Sequence, residues 1–184
     1  MKGLMFLADG FEDTEALSTR DVLIRSGLEV VTVSINESRQ VLSSFGLTLL
    51  ADRPFSLIGD IYSYDFLILP GGGRGTQNLK TSPNVRNIVK RFYENNKLIC
   101  AICAAPSIFG DLGLLKDIRY TCFVGFNEGI DGIFTGNEVE VDGNIITARS
   151  MHYSIDFALA IIESLLGKQA KQKVLEGLNG LSKK

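Results

Sequence analysis

The residue with the strongest potential for chemistry is Cys103, in the run Lys-Leu-Ile-Cys-Ala-Ile-Cys-Ala-Ala-Pro at residues 97–106. The apolar residues before it predict a buried strand. Pro106 suits a first helical turn because no intrahelical acceptor awaits its missing N–H. Cys103 is therefore expected on a sharp strand-to-helix turn, with backbone N–H groups directed at its sulfur. Such surroundings lower a thiol pKa from about 8.5 to roughly 3.5–7.5, which predicts a reactive thiolate.

Cys100 and Cys103 together spell C-x-x-C, which raises the alternative of a dithiol redox site. Cys100 falls inside the predicted strand, where residues three apart are about 10 Å from each other and face opposite sides of the sheet. That separation is too long for a disulfide. Cys100 is therefore assigned to core packing, with dithiol chemistry as the lesser alternative.

An acidic turn, Asp-Gly-Phe-Glu-Asp-Thr-Glu at residues 9–15, follows the first apolar run. Glu12 and Asp13 fit the first turn of a helix, where carboxylates complement the helix dipole. Glu15 lies deeper and either faces solvent or turns inward over the strand ends. An inward glutamate beside a thiolate stays protonated, through desolvation and like-charge repulsion, and could exchange its proton with a substrate.

A glycine-rich loop at residues 71–75 follows another short apolar strand. Glycines let backbone N–H groups approach a ligand closely, as in anion nests and oxyanion holes. The loop lacks the lysine and hydroxyl of a P-loop, so it does not predict a nucleotide site. It fits an oxyanion hole shared with the N–H of Ala104.

His152 is the single histidine and precedes the last major helix. It is either a cap or loop residue or the base of a Cys–His pair, which requires hydrogen-bond reach to the thiol. One histidine and three scattered cysteines predict no zinc site. The acidic first turn also lacks G-x-G-x-x-G, so neither a metal nor a dinucleotide cofactor is expected.

Strand-like and helix-like segments alternate along the chain, which predicts an α/β fold with a mostly parallel sheet covered on both faces. In such sheets the functional groups gather beyond the carboxyl ends of the strands. The predicted strands cover residues 2–8, 29–35, 66–69, the run before Cys103 and 119–122, with extended pairs at 41–51 and 139–148. The predicted helices cover residues 14–26, 84–93, a segment ending near residue 113, and 154–166.

The composition predicts one well-cored domain over residues 1–184, with a terminal helix or tail from about residue 167. Nineteen basic against 21 acidic residues give a net charge of −2, which argues against nucleic acid as a partner. The N-terminal apolar run is too short for a secretory signal, and no segment approaches a membrane span. Free cysteines then favour a reducing, cytoplasmic location.

Three motifs in this order and spacing resemble the ThiJ/PfpI superfamily, of the class I glutamine amidotransferase-like type. They are the turn ending in Glu15, Leu-Pro-Gly-Gly at 69–72 with Gln-Asn-Leu at 77–79, and Ala-Ile-Cys-Ala-Ala-Pro at 101–106. Within that superfamily the chain is similar to the branch of the human parkinsonism-associated protein and its bacterial relatives. The resemblance runs from residue 1 to about residue 166.

The resemblance implies a flavodoxin-like three-layer sandwich with a nucleophile elbow, assembled as a homodimer. Cys103 matches the elbow cysteine of the family, and Glu15 matches the carboxylic acid that hydrogen-bonds it. Gly72 and Ala104 match the amides of the oxyanion hole. The last two matches, Asp21 and Arg25, fall where relatives carry an Asp and an Arg near the dimer interface.

The chain also departs from the family pattern at the third catalytic group. The peptidase-like branch has histidine directly after the cysteine, where this chain has Ala104, and the closer branch has histidine where Cys122 stands. Ser-Met-His at residues 150–152 replaces a Gly-Pro-Gly segment that lines the pocket in relatives. We therefore hypothesise that His152 enters the site and partly replaces the missing imidazole.

The leading hypothesis from these residues is a cysteine-dependent enzyme of the glutathione-independent glyoxalase or deglycase type. Its substrates would be small reactive aldehydes or early glycation adducts, attacked by Cys103 to form a hemithioacetal. The alternative is an oxidative-stress sensor or redox-regulated chaperone in which Cys103 is oxidised. A cysteine peptidase is the third hypothesis, weakened by the absence of the adjacent histidine.

Overall fold

The computed structural model describes residues 1–181 and is built around a seven-stranded sheet. In chain order the elements are β1 (Lys2–Leu7), α1 (Asp13–Arg25), β2 (Glu29–Ser34), β3 (Gln40–Leu42), β4 (Thr48–Leu50), β5 (Arg53–Pro54), β6 (Phe66–Leu69), α2 (Gly73–Thr81), α3 (Pro83–Glu94), β7 (Leu98–Ile102), α4 (Pro106–Asp111), β8 (Arg119–Tyr120), β9 (Ile133–Phe134), β10 (Val139–Asp142), β11 (Ile145–Ala148), α5 (Ser154–Leu166) and α6 (Lys168–Leu178).

The strand order of the sheet is β10-β11-β7-β6-β1-β2-β5. Only the edge strand β10 runs antiparallel to its neighbour, and all other pairs are parallel. The predicted mostly parallel sheet is therefore confirmed. Because parallel strands end at one edge, the segments after β1, β6 and β7 meet above the centre of the sheet.

Two separate hydrophobic cores cover the two faces of this sheet, as alternation along a strand requires. On β7, Cys100 and Ile102 belong to the core under α1, α5 and α6, whereas Ile99 and Ala101 belong to the core under α2, α3 and α4. Helices therefore lie on both faces, as predicted. The site above the strand ends is held by both layers.

Most predicted elements appear with small shifts at their ends, and α5 has the predicted bounds. The extended pair at residues 41–51 is the antiparallel hairpin of β3 and β4. The glycine-rich segment is only partly a loop, because α2 already begins at Gly73. The tail prediction is met by α6 as far as the described residues go, and residues 182–184 lie outside them.

The predicted strand at 119–122 is shorter than expected, since β8 ends at Tyr120. The next residue, Thr121, is instead held by a side chain: its N–H donates to Thr147 Oγ1 at 2.9 Å. The predicted hairpin of β10 and β11 is confirmed, with Asp142 opposite Ile145. Its two-residue turn is one position later than the predicted Asp-Gly.

Within residues 1–181 no helix is both long and apolar enough to cross a membrane. The same part of the chain holds no group of three or more histidine, cysteine or acidic side chains arranged to bind a metal ion.

Candidate active site

Cys103 occupies a sharp turn directly after β7, as its sequence context predicts. Its φ is +63°, in the left-handed region that non-glycine residues rarely adopt. Two backbone hydrogen bonds hold this conformation: the Cys103 N–H donates to the Ala148 carbonyl at 2.9 Å, and the Cys103 carbonyl accepts the Phe123 N–H at 2.8 Å. An uncommon backbone conformation fixed in this way aims a side chain and is a feature of functional sites.

The turn directs the Cys103 side chain toward the hydrophobic core that contains Cys100, and Cys103 packs against that core. The two cysteine side chains therefore contact the same core, whereas the sequence predicted that they would face opposite sides of the sheet. All three cysteines of the chain are free thiols, with Cys100 fully buried and Cys103 partly exposed. Cys100 is therefore a core residue, as assigned from the sequence.

Glu15 turns inward, since its exposed fraction is only 1%. Its Oε2 accepts the Gly71 N–H at 2.8 Å, and its Oε1 is buried without a hydrogen-bond partner of good geometry. The first turn of α1 that carries it is fixed by Glu12, whose side chain accepts the Glu15 N–H at 2.7 Å. One oxygen of the carboxyl is thus fixed by Gly71, and the carboxyl is close enough to the Cys103 thiol for each group to shift the pKa of the other.

Gly71 is the residue that lets the acid and the thiol meet. A Cβ at Gly71 would lie 2.6 Å from Glu15 Oε2, 2.8 Å from Cys103 Cβ and 2.8 Å from the Ile102 carbonyl oxygen. No side chain fits there, so only glycine can bring its N–H to Glu15. Sequence reasoning placed Gly71 in a loop without giving it this task, although the run of glycines was the available signal.

Two backbone amides, those of Gly72 and Ala104, lie near enough to the Cys103 sulfur to lower the pKa of the thiol. Gly72 has a φ of +88° at the start of α2, a conformation that glycine adopts without strain. Ala104 is the next residue of the elbow, two residues before α4 begins. The structure therefore brings together the two amides that the resemblance implied for an oxyanion hole.

The Glu15 carboxyl is a weak acid in this position. Burial raises its pKa from 4.5 to about 7, with a smaller increase from the charge of Glu12, against the lowering effects of the Cys103 thiol and the Gly71 N–H. A substantial fraction of Glu15 is therefore protonated at neutral pH. This agrees with the protonated acid expected from the sequence.

The expectation of a lowered thiol pKa is wrong for Cys103 beside an ionised Glu15. Burial raises the pKa of the thiol, the charge of Glu15 and its hydrogen bond raise it further, and the Gly72 and Ala104 amides lower it only in part. The two groups therefore titrate as a pair, because the second ionisation would place like charges side by side. A thiolate can form near pH 7 only where the remaining proton resides on Glu15.

His152 is not brought to this pair. Its exposed imidazole lies in a short helical turn, edge-on to the Tyr153 ring at 4.9 Å between centroids, and no hydrogen bond joins it to Cys103 among the described residues. Cys122 is also separate: it is buried in the opposite core, and burial raises its pKa to about 11. The third group of the site is therefore absent from the described part of this chain.

Asp21 and Arg25 form an exposed ion pair on α1, with 2.7 Å between Arg25 Nε and Asp21 Oδ2. On the same helix face, Leu17 and Ile24 are 39% and 42% exposed. This apolar and charged surface is free in the single chain, and its role in a dimer stays a prediction.

Two cavities of about 700 Å³ lie away from the thiol. One lies between α2 and α3 beside Lys80 and Arg86, and the other runs along β10 and α5. Neither includes Cys103 or Glu15. The candidate site is thus defined by its convergent groups, Cys103, Glu15 and the glycine-rich loop, and not by either of these cavities.

Comparison with known proteins identifies the family and the fold of the chain. The sequence profile of the DJ-1/PfpI family matches residues 1–164 of this chain. Protein DJ-1 homolog B of Arabidopsis thaliana is 37% identical over 168 residues, which are 90% of this chain and 38% of that relative. Deglycase TK1284 of Thermococcus kodakarensis is 30% identical over 152 residues, 81% of this chain and 90% of the relative.

Among solved structures, the C103A mutant of the DJ-1 superfamily protein STM1931 from Salmonella typhimurium superposes with a TM-score of 0.90. It is 34% identical, and the match covers 99% of each chain. The chain belongs to the DJ-1/PfpI family, on its DJ-1 branch. It spans less than half the length of the Arabidopsis relative, and the flavodoxin-like α/β fold is the one these relatives share.

Proposed function

We propose that this chain is a cysteine-dependent enzyme acting on small reactive aldehydes or early glycation adducts, with Cys103 as nucleophile. The observation that carries the proposal is the buried Glu15 carboxyl, which lies beside the Cys103 thiol at a turn where the Gly72 and Ala104 amides also approach the sulfur. The match to a relative named a deglycase supports the same class of substrate.

For methylglyoxal, the thiolate of Cys103 adds to the aldehyde carbon while Glu15 holds the proton of the pair. The carbonyl oxygen becomes an oxyanion, which the Gly72 and Ala104 amides stabilise by about 3–4 kcal/mol per donor. Glu15 then protonates that oxygen and gives a hemithioacetal.

Glu15, now a carboxylate, takes the proton from the former aldehyde carbon, and the electron pair of that C–H bond forms an enediolate whose negative charge lies on the neighbouring oxygen. That oxygen takes the hydroxyl proton of the hemithioacetal, and Glu15 returns its proton to the neighbouring carbon, which yields the thioester of a 2-hydroxy acid. Water cleaves the thioester, which releases lactate and restores the thiol. The aldehyde carbon is oxidised and its neighbour reduced, so no external redox partner is required.

Steady-state lactate formation from methylglyoxal tests this proposal. Cys103→Ala should abolish turnover, and Glu15→Gln should lower kcat by about 10²–10⁴-fold because general acid–base catalysis is lost. Cys122→Ala is the matched control, since that thiol lies in the other core, and should retain activity. Turnover that survives in Cys103→Ala would overturn the proposal.

Oxidation of Cys103 is the second candidate function, favoured by the proton that Glu15 holds. Two equivalents of peroxide convert the thiol to a sulfinic acid and release two waters, and a protonated carboxyl beside the sulfinate would stabilise it. A wild-type protein without Cys103-dependent lactate formation, but with peroxide-dependent sulfinate at Cys103 that requires Glu15, would support this candidate. A peptidase has no support from the site, which lacks a histidine.

The proposed assembly is a homodimer formed through α1. The exposed Leu17 and Ile24 side chains offer an apolar contact surface. In a dimer with a two-fold axis, the Asp21–Arg25 pair of one chain could face the same pair of the other chain, so that opposite charges meet. The proposed location is the cytoplasm, where a reducing environment would keep the cysteines free.

A further inference from the structure

The backbone of Cys103 is clamped between two different parts of the chain. Its N–H reaches Ala148, the last residue of β11, and its carbonyl is bound by the N–H of Phe123, which lies in the segment after β8. β11 is part of the seven-stranded sheet, whereas β8 pairs only with β9 in a small sheet of its own. The elbow therefore depends on how this outer segment is attached to the central sheet.

At the strand end nearest Cys103 that attachment passes through a threonine side chain, while Arg119 ties the start of β8 to Asp142 and Glu140 of β10. Thr147, next to Ala148, accepts the Thr121 N–H on its Oγ1 at 2.9 Å, and Thr121 is two residues before Phe123. Thr121 Oγ1 in turn donates to the Asn137 carbonyl at 2.7 Å. Both threonines are fully buried, so water cannot replace these bonds.

We infer that Thr147 is a positioning residue for the nucleophile: its hydroxyl couples the two strands that fix the left-handed backbone of Cys103. Replacing the hydroxyl by a methyl group would leave the buried Thr121 N–H without an acceptor and would release the segment that carries Phe123. The Cys103 backbone would then lose part of its restraint, and the Ala104 N–H would no longer point steadily at the sulfur.

Alkylation of Cys103 by iodoacetamide, followed as a function of pH, tests this inference without any aldehyde. The titratable groups facing the sulfur are Glu15 and, behind it, Glu12, and both are left intact. Thr147→Val should raise the midpoint of the alkylation profile by half a pH unit or more, which at the wild-type midpoint lowers the thiolate fraction about twofold. Thr147→Ser should restore the wild-type profile because the acceptor returns.

Thr76→Val is the matched control, because Thr76 is equally buried but its hydroxyl has no hydrogen-bond partner among the described residues. It should alkylate with the wild-type profile. If Thr147→Val is folded by circular dichroism and its midpoint matches that of Thr76→Val, the inference is overturned.

A second variant decides the question if Thr147→Val does not fold. Thr147→Ala also removes the acceptor of the Thr121 N–H, without placing a methyl group where the hydroxyl was, and it should raise the midpoint as well; an unchanged midpoint would overturn the inference. The inference rests on Cys103 as the reacting group of the proposed function. It is nevertheless separable, because alkylation can report the clamp even if aldehyde turnover is absent.

Discussion

Glu15 Oε2 accepts the backbone N–H of Gly71 at 2.8 Å, a contact between residues 56 positions apart in the sequence. This single bond places a carboxyl from the first turn of α1 against the loop after β6, where the Cys103 side chain also lies. A carboxyl so deeply buried would normally be replaced by an apolar residue, because burial of its charged form is costly. Burial of Glu15 therefore lowers the free energy of unfolding when the carboxyl is ionised, and the same burial keeps a proton next to the Cys103 thiol.

Replacing Glu15 by glutamine should therefore stabilise the protein at alkaline pH. A carboxyl whose pKa is raised from 4.5 to about 7 keeps its proton in the fold but loses it in the unfolded chain, so stability falls as pH rises between these values. Above pH 7 the wild type should be about 3 kcal/mol less stable than Glu15→Gln, and below pH 4 the two should agree. Urea unfolding at pH 4, 6 and 8 measures this difference.

The control for that series is Glu37→Gln, because the Glu37 side chain is exposed and lies outside the candidate site. It should give the wild-type pH dependence. A stability difference for Glu15→Gln that is constant across pH would contradict a raised carboxyl pKa.

Gly71→Ala should disable the site although it adds only one methyl group. The new Cβ would meet the Ile102 carbonyl oxygen at 2.8 Å and the Glu15 oxygen at 2.6 Å, so either the loop or the acid must move. The Cys103 alkylation rate at pH 7 should fall, because the acid that holds the proton of the pair would no longer be fixed beside the thiol.

Gly73→Ala provides the matched comparison, since a Cβ at Gly73 has no neighbour within 4 Å. It should keep the wild-type alkylation rate. Equal rates for Gly71→Ala and the wild type would show that Gly71 does not hold Glu15 in place.

His152→Ala should leave the pH profile of Cys103 alkylation unchanged in the isolated chain. The imidazole is exposed and contacts Tyr153 rather than the thiol, so it supplies neither a proton nor a charge to the pair. A shifted midpoint in this variant would restore the hypothesis that His152 substitutes for the histidine of relatives.

Ile24→Glu should weaken self-association if α1 forms the dimer interface. Ile24 is 42% exposed. In a two-fold dimer formed through α1, a carboxylate at this position would either lie close to the same carboxylate of the partner chain or lose its hydration in the interface, and both are unfavourable. Analytical ultracentrifugation should show a dimer for the wild type and a shift toward monomer for the variant. Leu181→Glu is an exposed apolar control outside α1, and an equal shift for both would argue against this interface.

The sequence predicted the parts of this site that depend on local pattern. Cys103 at the end of an apolar run, Pro106 at the first helical position and the glycines after β6 each have a local signature, and all are found where expected. The prediction of a lowered thiol pKa failed because it considered the amides near Cys103 and not the burial of the pair. Burial is a property of packing between distant segments.

Contacts between distant segments explain the other omissions as well. Thr147 and Thr121 look like ordinary strand residues in the sequence, and their hydrogen bond appears only when β8 is laid against β11. His152 was proposed for the site because residues 150–152 replace a pocket-lining Gly-Pro-Gly segment of relatives, but its imidazole lies edge-on to the Tyr153 ring. The resemblance indicated which segment was near the site and could not give the direction of the side chain.

The most direct test of the account is the pH dependence of Cys103 alkylation in the wild type and in Glu15→Gln. If the thiol and the acid share one proton, wild-type reactivity should rise with a midpoint near pH 7, where the pair first ionises. In Glu15→Gln the midpoint should move above the ordinary thiol value of about 8.5, because burial remains and no carboxyl holds the proton. A wild-type midpoint near 8.5 that is unchanged in Glu15→Gln would contradict a coupled Cys103–Glu15 pair.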